Sequence, residues 1–219
     1  MHVVNTLSFA DVEAAARRIA PCAVHTPLLQ NRFLDDQVGR AVFLKPETLQ
    51  LSGSFKFRGA YNRIAQLTPA EREVGVIAWS SGNHAQGVAA AARLEGVSAR
   101  IVMPQDAPAI KLENTRALGA QVITYDRYRD DREAISYALA DRDGGVIVPS
   151  YDDPDIIAGQ GTAGLEIFRD AAKLSQPLDA LLICCGGGGL TAGCALAAEA
   201  LSPDTAVFCV EPEHYDDHA

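Results

Sequence analysis

Apolar positions recur along the chain at two alternating spacings, one helical and one of short unbroken runs, and these predict most of its elements. Val12, Ala15, Ala16 and Ile19 fall at helical spacing after Ser8, which forms an acidic capping box with Asp11, so a first helix runs up to Pro21. Ala41–Leu44 reads as a short buried strand before Lys45 and Pro46. Phe57, Tyr61 and Ile64 then mark one face of a helix that ends near Thr68 and Pro69. From Val74 the alternation is regular: strand Val74–Trp79, helix His84–Leu94 stopped by Gly96, strand Ala99–Met103, helix Ile110–Leu118 stopped by Gly119. Strand Gln121–Tyr125, helix Arg132–Ala140 and strand Val146–Val148 follow. Beyond a turn-rich loop, Pro149–Pro154, a helix marked by Leu165, Phe168 and Ala172 leads to strand Ala180–Cys184, helix Leu190–Leu201 and strand Ala206–Val210.

Apolar runs that alternate with amphipathic helices need cover on both faces, which a parallel sheet between helices supplies, so the class is α/β. The turn-rich segments near Thr68–Val74 and Pro149–Pro154 are crossing points between two domains, one from the middle of the chain and one from its flanks. No internal repeat is present.

Composition narrows the function. The 219 residues are 48% hydrophobic, enough for one large core or two smaller ones. A net charge of −9 and a pI near 5.0 argue against nucleic acid or an anionic membrane surface as partner, and for a small soluble molecule. The five cysteines are odd in number and show no C-x-x-C spacing, so the expected setting is reducing and cytoplasmic, without a disulfide framework or a zinc site. No run approaches the roughly 18 to 20 apolar residues of a membrane span, and the N-terminus lacks a basic start followed by an apolar stretch, so the chain reads as soluble.

Three stretches could carry chemistry. Cys185-Gly186-Gly187-Gly188-Gly189-Leu190 joins a strand to a helix, and its glycines free backbone N–H groups to turn towards an anion at the helix start. It is neither a Walker A loop nor a dinucleotide fingerprint, and the alternative is a turn required only for packing. Trp79-Ser80-Ser81-Gly82-Asn83-His84 is a second strand-to-helix junction, able to receive a carboxylate on backbone N–H groups while Asn83 meets a neutral or phenolic oxygen. Its alternative is simple N-capping by Ser81 or Asn83. In Leu51-Ser-Gly-Ser-Phe-Lys56-Phe-Arg-Gly59, one lysine stands among small and aromatic residues at a helix start. Partial loss of hydration would lower its pKa and free its amine to attack a carbonyl, which is imine chemistry. A lysine lying along the helix surface is the alternative.

Taken together and in order, S-G-S-F-K-F-R-G-A, S-S-G-N-H-A-Q-G and C-G-G-G-G-L-T-A-G resemble the threonine dehydratase and serine racemase family of pyridoxal-phosphate enzymes, of fold type II. The resemblance extends from His25-Thr26-Pro27-Leu28 to Glu211-Pro212-Glu213 and includes Leu44-Lys45-Pro46-Glu47 and Gly159-Gln160-Gly161-Thr162. It implies that Lys56 forms the Schiff base with the cofactor, Phe55 packs beside the ring, and Asn83 bonds the phenolic oxygen. Gly186, Gly187, Gly188, Gly189 and Leu190 would cradle the phosphate. Ser80, Ser81, Gly82, Asn83 and His84 would receive the substrate carboxylate, and Ser81 would be a second acid/base on the face opposite the lysine. A divalent-cation site, Mg or Ca, would fall on Glu211, the Tyr215 carbonyl and Asp217, whose oxygens suit hard cations; a solvated acidic loop is the alternative. The small domain would be 74–150 and the large domain 1–73 with 151–219, with the cofactor in the cleft between them.

The implied activity is dehydration of a small β-hydroxy amino acid, threonine or serine, to a 2-oxo acid and ammonia. Serine racemisation, hydroxyaspartate dehydration and a role in ectoine or hydroxyectoine breakdown are alternatives within the class. Family members continue past the equivalent of Ala219 and there supply a contact to the pyridine nitrogen, so the resemblance implies a shortened chain. A non-catalytic cofactor-binding or assembly domain is the alternative from another class, and a homodimer is the expected assembly.

Overall fold

The computed structural model describes residues 7–214. Helix α1 (Phe9–Ile19) starts on the expected capping box, the Asp11 carboxylate accepting from the Ser8 N–H at 2.9 Å and from its hydroxyl at 2.7 Å. There follow β1 (Leu29–Gln30), α2 (Arg32–Val38), β2 (Phe43–Leu44), α3 (Lys56–Ile64) and α4 (Pro69–Val74). Then the chain alternates: β3 (Val76–Trp79), α5 (Asn83–Glu95), β4 (Ala99–Pro104), α6 (Ala109–Ala117), β5 (Gln121–Tyr125), α7 (Arg132–Asp143) and β6 (Val146–Ile147). It continues with α8 (Pro154–Lys173), β7 (Ala180–Cys184), α9 (Gly189–Leu201) and β8 (Ala206–Val210).

The α/β class is borne out. A four-stranded sheet runs β5-β4-β3-β6 with every neighbouring pair parallel, and β7 pairs β8 in parallel. Strands within 76–147 pair only with each other among the described residues. The expected strand Ala41–Leu44 contracts to Phe43–Leu44, and it pairs antiparallel with β1, a strand the periodicity does not reveal. Two helices also escape the pattern. The short α2 buries none of its residues and stands on the Asn31 cap, whose side chain accepts from the N–H groups of Phe33 and Leu34. Further on, α4 takes up residues read as turn and strand, because Thr68 and Glu71 form a capping box with Pro69 in the first turn. Consequently α3 ends at Ile64 and β3 starts at Val76. Asp153 caps α8 by accepting from Asp155 and Ile156, so this helix begins at Pro154, well before its apolar markers.

Helix α3 packs against both α5 and α8. Phe57, Ile64, Val76, Val88, Ile101, Met103 and Ile156 are fully buried in one cluster around it, each contributing about 1.5–3 kcal/mol of burial. A second cluster joins Val12 of α1, Leu165 and Phe168 of α8, and Ala197 of α9. Arg58, fully buried two residues beyond the candidate lysine, is held by Glu47 (2.7 and 2.8 Å) and Glu166 (2.7 and 2.9 Å). Lys45 meets Glu166 at 2.6 Å. A guanidinium can stay ionised out of water only with such partners, so the network fixes the 45–47 segment, the start of α3 and α8 relative to one another.

Candidate active site

The first residue of α3 is Lys56. The turn before it is under local strain: Ser52 takes a left-handed backbone conformation (φ 61°) that residues with a Cβ seldom adopt. Helix α5 comes close on one side, since a Cβ on its Gly87 would stand 3.1 Å from the Lys56 carbonyl carbon and the Phe57 nitrogen. The Lys56 ammonium donates to the Ser150 carbonyl at 2.6 Å and lies 5.1 Å from the centre of the Phe55 ring. Burial, opposed by the nearby Cys184 thiol, brings its pKa down from 10.5 to about 8. A lysine lying along the helix surface would keep its ammonium in water, so the geometry excludes that alternative.

Ser150 closes the loop that leaves β6, and its carbonyl also accepts from the Gln160 amide of α8 at 3.1 Å. Two residues earlier, the Val148 carbonyl accepts from His84 Nε2 at 2.9 Å. That bond fixes the neutral tautomer with Nδ1 unprotonated, and burial first, then the charge of Lys56, takes His84 down to about 4 against the opposing effect of the Val148 bond. Thus β6, which contributes only two residues to the sheet, delivers the carbonyls that hold both Lys56 and His84.

Ser80, Ser81 and Gly82 join β3 to α5. The Gly82 N–H donates to the Ser80 hydroxyl at 3.1 Å, and no side chain caps the start of α5, so neither Ser81 nor Asn83 plays the capping role. The first N–H groups of α5 therefore remain available to an anion. Ser81 and Asn83 are exposed, while the Asn83 oxygen accepts from Lys111 at 2.9 Å. At the other junction, Gly188 precedes α9 in a left-handed conformation (φ 80°), again with no side-chain cap. Gly186 and Gly187 are exposed, Gly188 and Leu190 half-buried and Gly189 buried. A Cβ on Gly187 would stand 2.1 Å from the Tyr151 ring, which lies against the loop. The loop's glycine requirement thus has a packing component as well as an anion-binding one.

All these groups emerge from the carboxyl ends of parallel strands or from a helix start beside them, where α/β proteins bind ligands. Around them lie buried side-chain atoms with no hydrogen-bond partner: Ser52 Oγ, Ser54 Oγ, His84 Nδ1 and Gln160 Oε1. Orphaned atoms of this kind are costly unless a ligand meets them. Sequence reasoning missed Ser150, Gln160, Tyr151 and Lys111. The position of Ser150 at the end of a parallel strand was the signal that could have found it. Of the expected cation ligands, Glu211 follows β8, and Tyr215 and Asp217 lie outside the described residues. No group of three or more His, Cys, Asp or Glu side chains arranged to hold a metal occurs among the described residues. No helix there is long and apolar enough to cross a membrane.

Comparison with known proteins places the chain in a group. Residues 19–219 match the pattern described as "Pyridoxal-phosphate dependent enzyme". The chain is 51% identical over 210 residues to the L-threo-3-hydroxyaspartate ammonia-lyase of a Pseudomonas species, covering 96% of this chain and 65% of that protein. It is 41% identical over 208 residues to the L-threonine ammonia-lyase of Thermotoga maritima, covering 95% of this chain and 51% of that protein. Maize serine racemase superposes with a TM-score of 0.91 at 37% identity, over 96% of this chain and 63% of that one. The chain therefore spans about two thirds of its relatives' length or less.

Proposed function

We propose an activity from one premise: the chain belongs to the pyridoxal-phosphate dependent enzyme family. The reading is an ammonia-lyase that dehydrates a small β-hydroxy amino acid, threonine or serine, to a 2-oxo acid and ammonia. The observation that carries it is the Lys56 amine, half-buried, held by the Ser150 carbonyl and brought to a pKa of about 8 beside two helix starts that no side chain caps. The residues present fit the cofactor, because orphaned polar atoms of Ser52 and Ser54, just before the lysine in the chain, and of Gln160, which shares the Ser150 carbonyl with it, would meet a polar, phosphorylated ring. Lys56 would hold it, with Phe55 beside the ring, Asn83 at its phenolic oxygen, and Gly186, Gly187, Gly188, Gly189 and Leu190 at its phosphate. When bound, the cofactor spreads the negative charge left on the substrate as a proton departs.

The chain's own groups do the rest. The free N–H groups at the start of α5, in the Ser80–His84 segment, bind the substrate carboxylate. Lys56 Nζ in its neutral form takes the α-proton, and a pKa near 8 keeps that form populated at neutral pH. Proton donation from the Ser81 hydroxyl would let the β-hydroxyl leave as water, and the released enamine would take up water to give the 2-oxo acid and ammonia. Neutral His84 keeps a second positive charge away from Lys56. The cofactor lies, on this reading, between a small domain of 74–150 and a large domain of 1–73 with 151–219, a division supported by the separate pairing of the strands within 76–147.

Ammonia release from L-threonine, L-serine and L-threo-3-hydroxyaspartate with added pyridoxal phosphate tests the reading, with borohydride trapping to locate the adduct. Turnover retained by Lys56→Ala would refute it. A second reading, racemisation or hydroxyaspartate dehydration, is supported by the exposed Ser81 hydroxyl, which suits an acid/base opposite the lysine. Chiral analysis of the remaining amino acid separates racemisation from elimination. We also keep Glu211, the Tyr215 carbonyl and Asp217 as an oxygen-ligand site for Mg or Ca, checked by a rise in Tm with either ion. A homodimer in the cytoplasm completes the reading, checked by sedimentation and by fractionation.

A further inference from the structure

Lys111 occupies a place that local rules disfavour. It is the third residue of α6, where the positive end of the helix dipole repels a cation, and no acidic residue shares that turn. No carboxylate lies within 4.0 Å of its ammonium among the described residues. Instead the side chain reaches across to the start of α5, another positive helix end. It lies so close to Gly82 that a Cβ there would stand 2.6 Å from Nζ and 2.8 Å from Cδ. Among the described residues its ammonium has one hydrogen-bond partner, the Asn83 side chain, at 2.9 Å. A cation set against two helix dipoles with no counter-ion, threaded over a glycine to reach one amide, breaks local preference in the way functional sites do.

The chemistry of that contact fixes a direction. An amide has an oxygen that only accepts and an NH2 that only donates, and the two ends have the same shape. An ammonium has three donors and no acceptor, so the Asn83 end that faces Lys111 must be the oxygen. The NH2 end is then turned the other way. We propose that Lys111 is a positioning residue that locks the Asn83 amide with its NH2 towards the cofactor's phenolic oxygen. This rests on the reading above that Asn83 meets that oxygen. Without a donor-only partner the amide can turn its oxygen towards the phenolic oxygen, and two acceptors then face each other.

The test uses the chain reconstituted with pyridoxal phosphate. It compares Lys111→Arg, Lys111→Gln, Lys111→Met and Asn83→Ala by equilibrium cofactor binding and by the pH at which the visible imine band changes form. Arginine is also donor-only and should hold both values near those of the unaltered chain. Glutamine fills similar space but can accept as well as donate, so it releases the amide; methionine removes the contact. Each of the last two should weaken cofactor binding by roughly tenfold or more, the scale of a hydrogen bond to a charged group, and should raise the pH of the band change. Circular dichroism of each variant separates loss of fold from loss of orientation. If glutamine or methionine leaves both values unchanged while Asn83→Ala alters them, Lys111 does not orient the amide. If Asn83→Ala itself changes neither, or the unaltered chain binds no cofactor, the underlying reading fails and the proposal with it.

Discussion

Raising the pH from 6 to 11 should reveal Lys56 as the lysine whose amine is freed early. With a pKa of about 8, about 9% of Lys56 is neutral at pH 7; at the ordinary 10.5 the fraction is about 0.03%, so burial increases the nucleophilic form about 300-fold. The physical cause is the lost hydration of a half-buried ammonium whose hydrogen-bonding partner, the Ser150 carbonyl, carries no formal charge. Competitive labelling measures it: the chain and a lysine-containing reference peptide share trace acetic anhydride at each pH, and mass spectrometry counts the label on each amine. Steric shielding changes the height of the Lys56 curve and leaves its midpoint alone, so the midpoint is the quantity to read. It should lie about 2.5 pH units below that of the peptide. A midpoint within half a unit of the peptide's would mean that the ammonium remains hydrated, and the argument for an imine-forming lysine would lose its physical basis.

The same shift has a consequence for stability. The native state binds fewer protons than the unfolded state between about pH 8 and 10.5, so the penalty of the charged lysine is present in full below 8 and disappears as pH rises to 10.5. Lys56→Met should therefore be more stable than the unaltered cofactor-free chain by about 1–2 kcal/mol at pH 7, with the difference gone above 10.5, as read by urea unfolding. Gly187→Ala should weaken cofactor binding by pushing the Tyr151 ring off the loop, and adding Tyr151→Ala should restore part of the loss, because the clash at 2.1 Å is with that ring; a double variant no better than the single one would show that the clash is not the cause. Arg58→Met takes the guanidinium from the half-buried Glu47 and Glu166, leaving Glu166 with Lys45 as a cationic partner, and should cost about 3–5 kcal/mol of unfolding free energy in urea; a loss below 1 kcal/mol would mean that water reaches those carboxylates.

The sequence by itself determined the class, most of the strands and the three stretches that converge. Strands β3, β4, β5, β7 and β8 were legible because each is an unbroken apolar run next to an amphipathic helix, and that contrast is local. The glycine loop and Lys56 were legible because their residue types are unusual for the elements they open. Other elements carry no such contrast: α2 buries no residue and rests on its Asn31 cap, β1 and β2 are two residues each, and α4 depends on a capping box around one proline. Tertiary structure alone decided the rest. Ser150 acts through its backbone carbonyl, which no side-chain pattern encodes. Tyr151 resembles any loop aromatic until the Gly187 backbone lies beneath it. Lys111 resembles a surface lysine until the fold brings it to Asn83, 28 positions away in the chain. Pattern along a chain records which face of an element loses water, whereas the partners of a buried amine, an amide or a carbonyl are set by which elements meet, and that is settled only when the whole core packs.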